Sequence, residues 1–218
     1  MYVIIINGSP RVEQYSNTNK IIDSFTDGLR ESGISFEKYA VSKKNTWDKI
    51  KQAYCNNTEI IIALPLYVEC VPGLLLEFLE TLPVKDTDTR LSFILQSGFA
   101  EACQLRCGEE FLEKLCSCLG VTYGGTVIHG DNFGIRVCGE EAAKKLTSPY
   151  KAMGTVFATG KGFDDDEVIK FAGPEVFALP MRIILQIMFM TAAKKKFREV
   201  SAEWGCTEPI NAKPWGDY

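Results

Sequence analysis

Residues 2–6, Tyr-Val-Ile-Ile-Ile, form an unbroken apolar run rich in β-branched side chains. The run is too short for a typical helix and reads as a buried strand. It stops at Asn7-Gly8-Ser9-Pro10, a dense turn signal. Ser16, Asn17 and Thr18 then gather just ahead of an amphipathic helical pattern. A strand that feeds a loop of hydroxyls and backbone N–H groups at a helix N-terminus makes an anion site, and a phosphate fits there without a metal. A simple N-cap explains one polar residue of this loop, not Ser9, Ser16, Asn17 and Thr18 together with Arg11.

Two more runs repeat the first. Glu59–Leu64 is again a nearly continuous apolar run, the pattern of a strand covered on both faces and hence of a parallel sheet, and Leu91–Gln96 reads as a further strand ended by Ser97-Gly98. Strand two is expected at Ile34–Val41 and strand five at Val121 to about His129. Helical periodicity falls between them, at Thr18–Ser32 with Gly33 as its stop, at Trp47–Tyr54, at Leu74–Leu82, and from about Glu101 to Leu119. The order βαβαβαβαβ with short loops predicts an α/β fold with helices on both faces of an open sheet. Ligands of such sheets bind outside the carboxyl ends of the strands, where the strand order switches. The loops after strands one, three and four share that edge, and all are rich in Gly, Pro, Ser or Tyr. In the second of them, PLYVECVPG, Tyr67 offers a flat amphipathic face for a planar ring. In the third, Gly98 lets backbone approach the same ring.

NGSPR…SNT, PLYVECVPG and this element order resemble the flavodoxin-like NADPH-dependent FMN reductase family over about residues 1–130. The resemblance implies a flavodoxin-like three-layer sandwich with a five-stranded parallel sheet. It also implies an FMN-dependent oxidoreductase that takes hydride from NAD(P)H and passes it to a small acceptor: a quinone, a nitro or azo compound, or a flavin. Carried over by motif, Ser9, Arg11, Ser16, Asn17 and Thr18 would hold the FMN phosphate. Pro65, Leu66, Tyr67 and Val68 would line the isoalloxazine, with Ser97, Gly98 and Phe99 as a further contact. The cysteine cluster that many relatives carry after strand two is missing, since Val41–Tyr54 contains no cysteine. The alternative reading is a flavodoxin-type electron carrier that NAD(P)H does not reduce directly. No acid–base residue is required of the protein, because the cofactor supplies the chemistry.

The remaining features narrow the classes. A net charge of −4 over 218 residues gives no electrostatic case for nucleic acid. G-x-G-x-x-G is absent, and Gly154-TVFAT-Gly160-Lys161 has one residue too many for a nucleotide P-loop. With a strand starting at residue 2, no signal peptide is expected; the compartment expected is the cytoplasm, with eight reduced thiols. Cys103, Cys107, Cys116 and Cys118 cannot converge on one metal if they share a helix, so no metal site is expected. His129, the only histidine, reads as structural. An FMN-binding domain is expected over residues 1–138 and a C-terminal extension over 139–218, with an acidic patch at Asp164–Glu167. From Pro180 to about Ala193 the chain is almost wholly apolar, and Lys194–Lys196 and Arg198 are expected at that helix's C-terminus. The run is too short to span a bilayer and is expected to pack on the domain or on a second copy in a homodimer, with an interfacial membrane helix as the less favoured alternative and no membrane partner expected. An aromatic arm bearing Trp204, Trp215 and Tyr218 closes the chain.

Overall fold

The three apolar runs become the middle of one sheet. In this computed structural model, which describes residues 1–85, 88–160, 162–163, 166–209 and 212–213, β1 (Tyr2–Asn7), β3 (Glu59–Pro65) and β4 (Arg90–Gln96) lie side by side. β2 (Ser35–Ala40) flanks β1 and β5 (Thr122–His129) flanks β4, giving the all-parallel order β2-β1-β3-β4-β5. This is the doubly wound, flavodoxin-like order, with its switch point between β1 and β3. Ile4–Ile6 pair with Ile60–Ile62, and Ile60–Leu64 with Leu91–Leu95. The imperfect alternation of β2 follows from its place at an edge, where most of its side chains stay partly exposed.

Each face of the sheet has its own core. Ile4, Ile6, Ile60, Ile62, Leu64 and Phe93 pack under α2 (Trp47–Asn56), α3 (Gly73–Leu79) and α4 (Cys103–Leu119). Tyr54 and Phe78 are fully buried there, each worth about 1.5–3 kcal/mol of apolar transfer. Val3, Ile5, Ile61, Ala63, Ile94 and Val127 pack on the opposite face under α1 (Asn17–Glu31). The same face is covered by α5 (Gly134–Val137), α6 (Glu140–Thr147), α7 (Pro149–Ala158) and α8 (Asp166–Phe171). α1 and α7 cross closely: a Cβ on Gly28 would stand 2.1 Å from Lys151 O, and one on Gly154 2.1 Å from Phe25 O.

These helices revise the expected domain boundary. The chain divides into compact units at Met1–Val176 and Phe177–Tyr218, not at residue 138. Residues 139–176 belong to the first unit because Tyr150, Met153, Phe157 and Val168 complete its second core. Arg106 forks onto Glu175, and Ala102 N and Cys103 N donate to Pro174 O and Glu175 O, which fastens the end of this unit to α4. The Arg106 guanidinium holds the Glu175 carboxyl below the usual carboxylate range.

In the second unit α9 (Leu179–Met188) passes through a π-helical turn, Phe189–Ala193, into α10 (Lys194–Glu203). The lysines therefore do not end the apolar helix as expected. The helix continues through them and stops at Trp204 and the left-handed Gly205. Trp215 and Tyr218 of the expected arm lie outside the described residues, as do Lys161 of the rejected P-loop and Asp164 and Asp165 of the acidic patch.

Candidate functional site

Four loops leave the carboxyl ends of β1, β3, β4 and β5, and hydrogen bonds join three of them. The first runs from Gly8 to Ser16. Asn7 Oδ1 accepts from Ser9 N at 3.0 Å, and Ser9 Oγ accepts from Arg11 N at 3.3 Å. Ser16 is the N-cap of α1, its Oγ accepting from Asn19 N at 3.2 Å. Thr18 Oγ1 accepts from Gln96 Nε2 at 3.3 Å. Ser9, Ser16 and Thr18 are all buried, and all three hydroxyls act as acceptors. Each therefore keeps its own O–H to donate. The first-turn N–H groups of α1 have no intrahelical partner, and the helix dipole adds partial positive charge at the same end. Arg11 is exposed, and the loop's one carboxylate, Glu13, is paired with Lys43 at 2.6 Å. The donor set thus suits a phosphate group.

Asn17, the fifth expected phosphate residue, is engaged elsewhere. Its Nδ2 donates to Asn132 O at 2.9 Å. Asn132 is buried in the loop after β5, and its backbone N donates to Ser97 O at 3.0 Å. Its side-chain Nδ2 lies 2.9 Å from both His129 O and Tyr150 Oη. The β5 loop also reaches the β4 loop through Asp131 N, which donates to Phe99 O. Gly130 permits this approach, since a Cβ there would stand 1.9 Å from Phe99 O. The sequence reading missed this loop. Its signal was present in Gly130-Asp131-Asn132-Phe133-Gly134, a turn cluster at a strand's carboxyl end.

The loop after β3 separates the four residues assigned to it. Pro65 and Leu66 are buried, with Leu66 N extending the ladder to Gln96 O at 2.7 Å and its side chain against Gly108 of α4. Tyr67 is 42% and Val68 74% exposed. Tyr67 N donates to Cys70 O and Cys70 N to Tyr67 O, closing a two-residue turn. Val68 and Glu69 at its tip both have positive φ, 49° and 64°. This is the primed hairpin conformation, usually held by Asn or Gly and strained for a β-branched residue. Cys107 Sγ donates to Glu69 O at 3.7 Å, steadying the turn from α4. In the loop after β4, Ser97 is buried and its Oγ donates to Phe99 O at 3.1 Å. Gly98 lies beside Phe133, and Phe99 is 52% exposed. Tyr67 and Phe99 therefore offer open aromatic surface at the strand ends.

The other chemistry-bearing residues are His129, at the end of β5, and the cysteines of α4. His129 Nδ1 is 2.7 Å from Phe171 O, and its ring stacks on Phe171 with centroids 4.5 Å apart. This is the structural role expected. Cys116 is buried while Cys103, Cys107 and Cys118 are exposed. A cavity of ≈ 340 Å³ between α4, β5 and α8 contains Arg106, Glu109 and Tyr123, but flanks the sheet edge away from the switch point.

No protein-family model and no curated protein matches this chain. Solved structures do. An FMN-dependent NADH-azoreductase from Bacillus anthracis str. Ames Ancestor, in complex with FMN, aligns with TM-score 0.54 at 14% identity, covering 72% of this chain and 100% of that one. An NAD(P)H:quinone oxidoreductase from Methanothermobacter marburgensis aligns with TM-score 0.52 at 15% identity, covering 72% and 98%. The apo form of an NADH:FMN oxidoreductase aligns with TM-score 0.54 at 17% identity, covering 77% and 92%. At these identities the likeness establishes the flavodoxin-like fold.

Proposed function

We propose that this chain is an FMN-dependent oxidoreductase that takes hydride from NAD(P)H and passes it to a small planar acceptor in the cytoplasm. The observation that carries the reading is the grouping of three buried hydroxyls, an α-helix N-terminus and exposed aromatic rings at the carboxyl edge of a flavodoxin-like sheet. The names of the similar structures support it: an FMN-dependent NADH-azoreductase, an NAD(P)H:quinone oxidoreductase and an NADH:FMN oxidoreductase.

When bound, FMN supplies the hydride chemistry. Ser9, Ser16 and Thr18 would donate hydrogen bonds from their hydroxyls to its phosphate, and the first turn of α1 would add backbone N–H groups. Arg11 supplies a cation at the mouth of the loop. Tyr67 and Val68 support one side of the ring, with Pro65 and Leu66 as the buried base of that support. Phe99 and the Ser97-Gly98 backbone border the ring from β4. Asn17 and Asn132 keep the loops in register.

The purified protein is expected to be yellow, or to take up FMN with loss of flavin fluorescence. Stopped-flow mixing of the loaded protein with NADH and with NADPH then tests the reaction. Rapid bleaching by one of them supports the reading, and an electron carrier would bleach with neither. A protein that takes up no flavin would remove the proposal.

A further inference from the structure

The structure assigns the α9–α10 helix to the surface of an anionic lipid bilayer, lying in the headgroup region without crossing it. This inference rests on the helix alone and is independent of the flavin reading. Leu179, Met181, Ile183, Ile184, Ile187, Met188, Phe189 and Met190 are all exposed, with Ile184 at 58% and Ile187 at 59%. Soluble chains seldom leave so long an apolar stretch open to water.

The π turn organises the polar side. Arg182 and Gln186 share a face at i, i+4. An unbroken α-helix would turn Lys194 and Arg198 about 80–160° away from them. The π turn, Phe189–Ala193, accommodates one extra residue and returns both cations to the flank of Arg182 and Gln186. By helical spacing Arg182, Gln186, Lys194 and Arg198 then share one flank, beside an apolar arc through Ile183, Ile184, Ile187 and Met188, while Lys195 and Lys196 leave α10 on the side of that arc. The stretch from Leu179 to Glu203 contains five cations (Arg182, Lys194, Lys195, Lys196 and Arg198) and two carboxylates (Glu199 and Glu203), in a chain of net charge −4. Apolar surface beside concentrated positive charge matches acyl chains beside anionic headgroups.

A lipid surface fits better than the second copy expected from the sequence. A partner helix covers one stripe, whereas immersion of about 5–10 Å approaches the full width of a helix of about 10–12 Å. No helix among the described residues is long and apolar enough to cross a membrane, which leaves the in-plane arrangement.

Flotation of the full-length protein with vesicles tests this. Binding is expected to vesicles of phosphatidylcholine with phosphatidylglycerol, to fall as salt is raised, and to be weak on phosphatidylcholine alone. Lys194→Gln with Lys195→Gln should lower partitioning about fivefold per charge removed. Ile184→Asp with Ile187→Asp should abolish it while circular dichroism stays that of the parent. No association with anionic vesicles overturns the inference, and so does equal, salt-insensitive binding to both compositions. Sedimentation as a dimer that Ile184→Asp with Ile187→Asp splits, without vesicle binding, gives the surface to a second copy instead.

Discussion

Asn17 Nδ2 donates to Asn132 O at 2.9 Å, linking the start of α1 to a loop 115 residues later in the chain. The bond makes the phosphate loop depend on the loop after β5. Asn132 then ties in Ser97, His129 and Tyr150. Asn132→Ala should leave the buried Tyr150 hydroxyl and the His129 carbonyl short of a donor, at about 1–3 kcal/mol. Urea unfolding measures this, and FMN affinity should fall with it. An unchanged midpoint would show that Asn132 joins nothing of consequence.

Phosphate recognition separates from ring recognition by ligand. Ser9→Ala and Thr18→Val each remove one donor to a charged group, worth about 1.5–3 kcal/mol. Both variants should bind FMN roughly ten to a hundred times more weakly yet bind riboflavin as the parent does. Parallel weakening of both ligands in a fluorescence titration would mean that these hydroxyls shape the loop and touch no phosphate.

The buried parallel strands were legible because residues covered on both sides must be apolar throughout. Ile4–Ile6 and Ile60–Ile62 announce themselves, Leu91–Leu95 does so despite the buried Ser92, and each helix between them carries a clear stripe. Harder to see was α7. Tyr150, Met153, Gly154 and Phe157 have helical spacing, but Gly154 reads as a breaker. Its reason is tertiary: α7 crosses α1 at Gly28, and neither position has room for a Cβ. The polar residues of the first loop were legible as a cluster, but not their division of labour. Spacing alone cannot show that the Asn17 side chain turns to a loop remote in sequence.

The turn after β3 stores strain that substitution can release. Val68 sits at φ 49°, where a β-branched side chain is unfavourable by roughly 1–2 kcal/mol. Val68 is exposed, so replacing it removes little packing. Val68→Asn should therefore raise stability by about 1 kcal/mol, visible as a higher Tm. A lower Tm would show that the side chain has a contact outweighing the strain.

Alkaline pH should unfold this protein through its buried weak acids. Burial pushes the Cys116 thiol from 9.0 to about 12 and the Tyr54 phenol from 10.0 to about 12, and Tyr123 is raised to about 12 for the same first reason. Above its ordinary value each group ionises in the unfolded chain while staying protonated in the fold. Their contributions are therefore complete below pH 9–10 and are lost as pH rises toward 12. Lys85 acts in the opposite sense. Burial lowers its pKa from 10.5, so over the interval below 10.5 the unfolded chain holds the proton that the fold has released, and stability rises with pH. Tyr54→Phe separates the terms. It keeps the ring that lies 4.9 Å from Lys85 Nζ and removes only a buried hydroxyl that has no hydrogen-bond partner among the described residues. That variant should be more stable than the parent by about 1–3 kcal/mol at neutral pH. Its advantage should widen between pH 10 and 12 as the parent's phenol becomes ionisable on unfolding. Urea midpoints measured across that range check both statements, and an advantage that stays constant with pH would rule out a raised Tyr54 pKa.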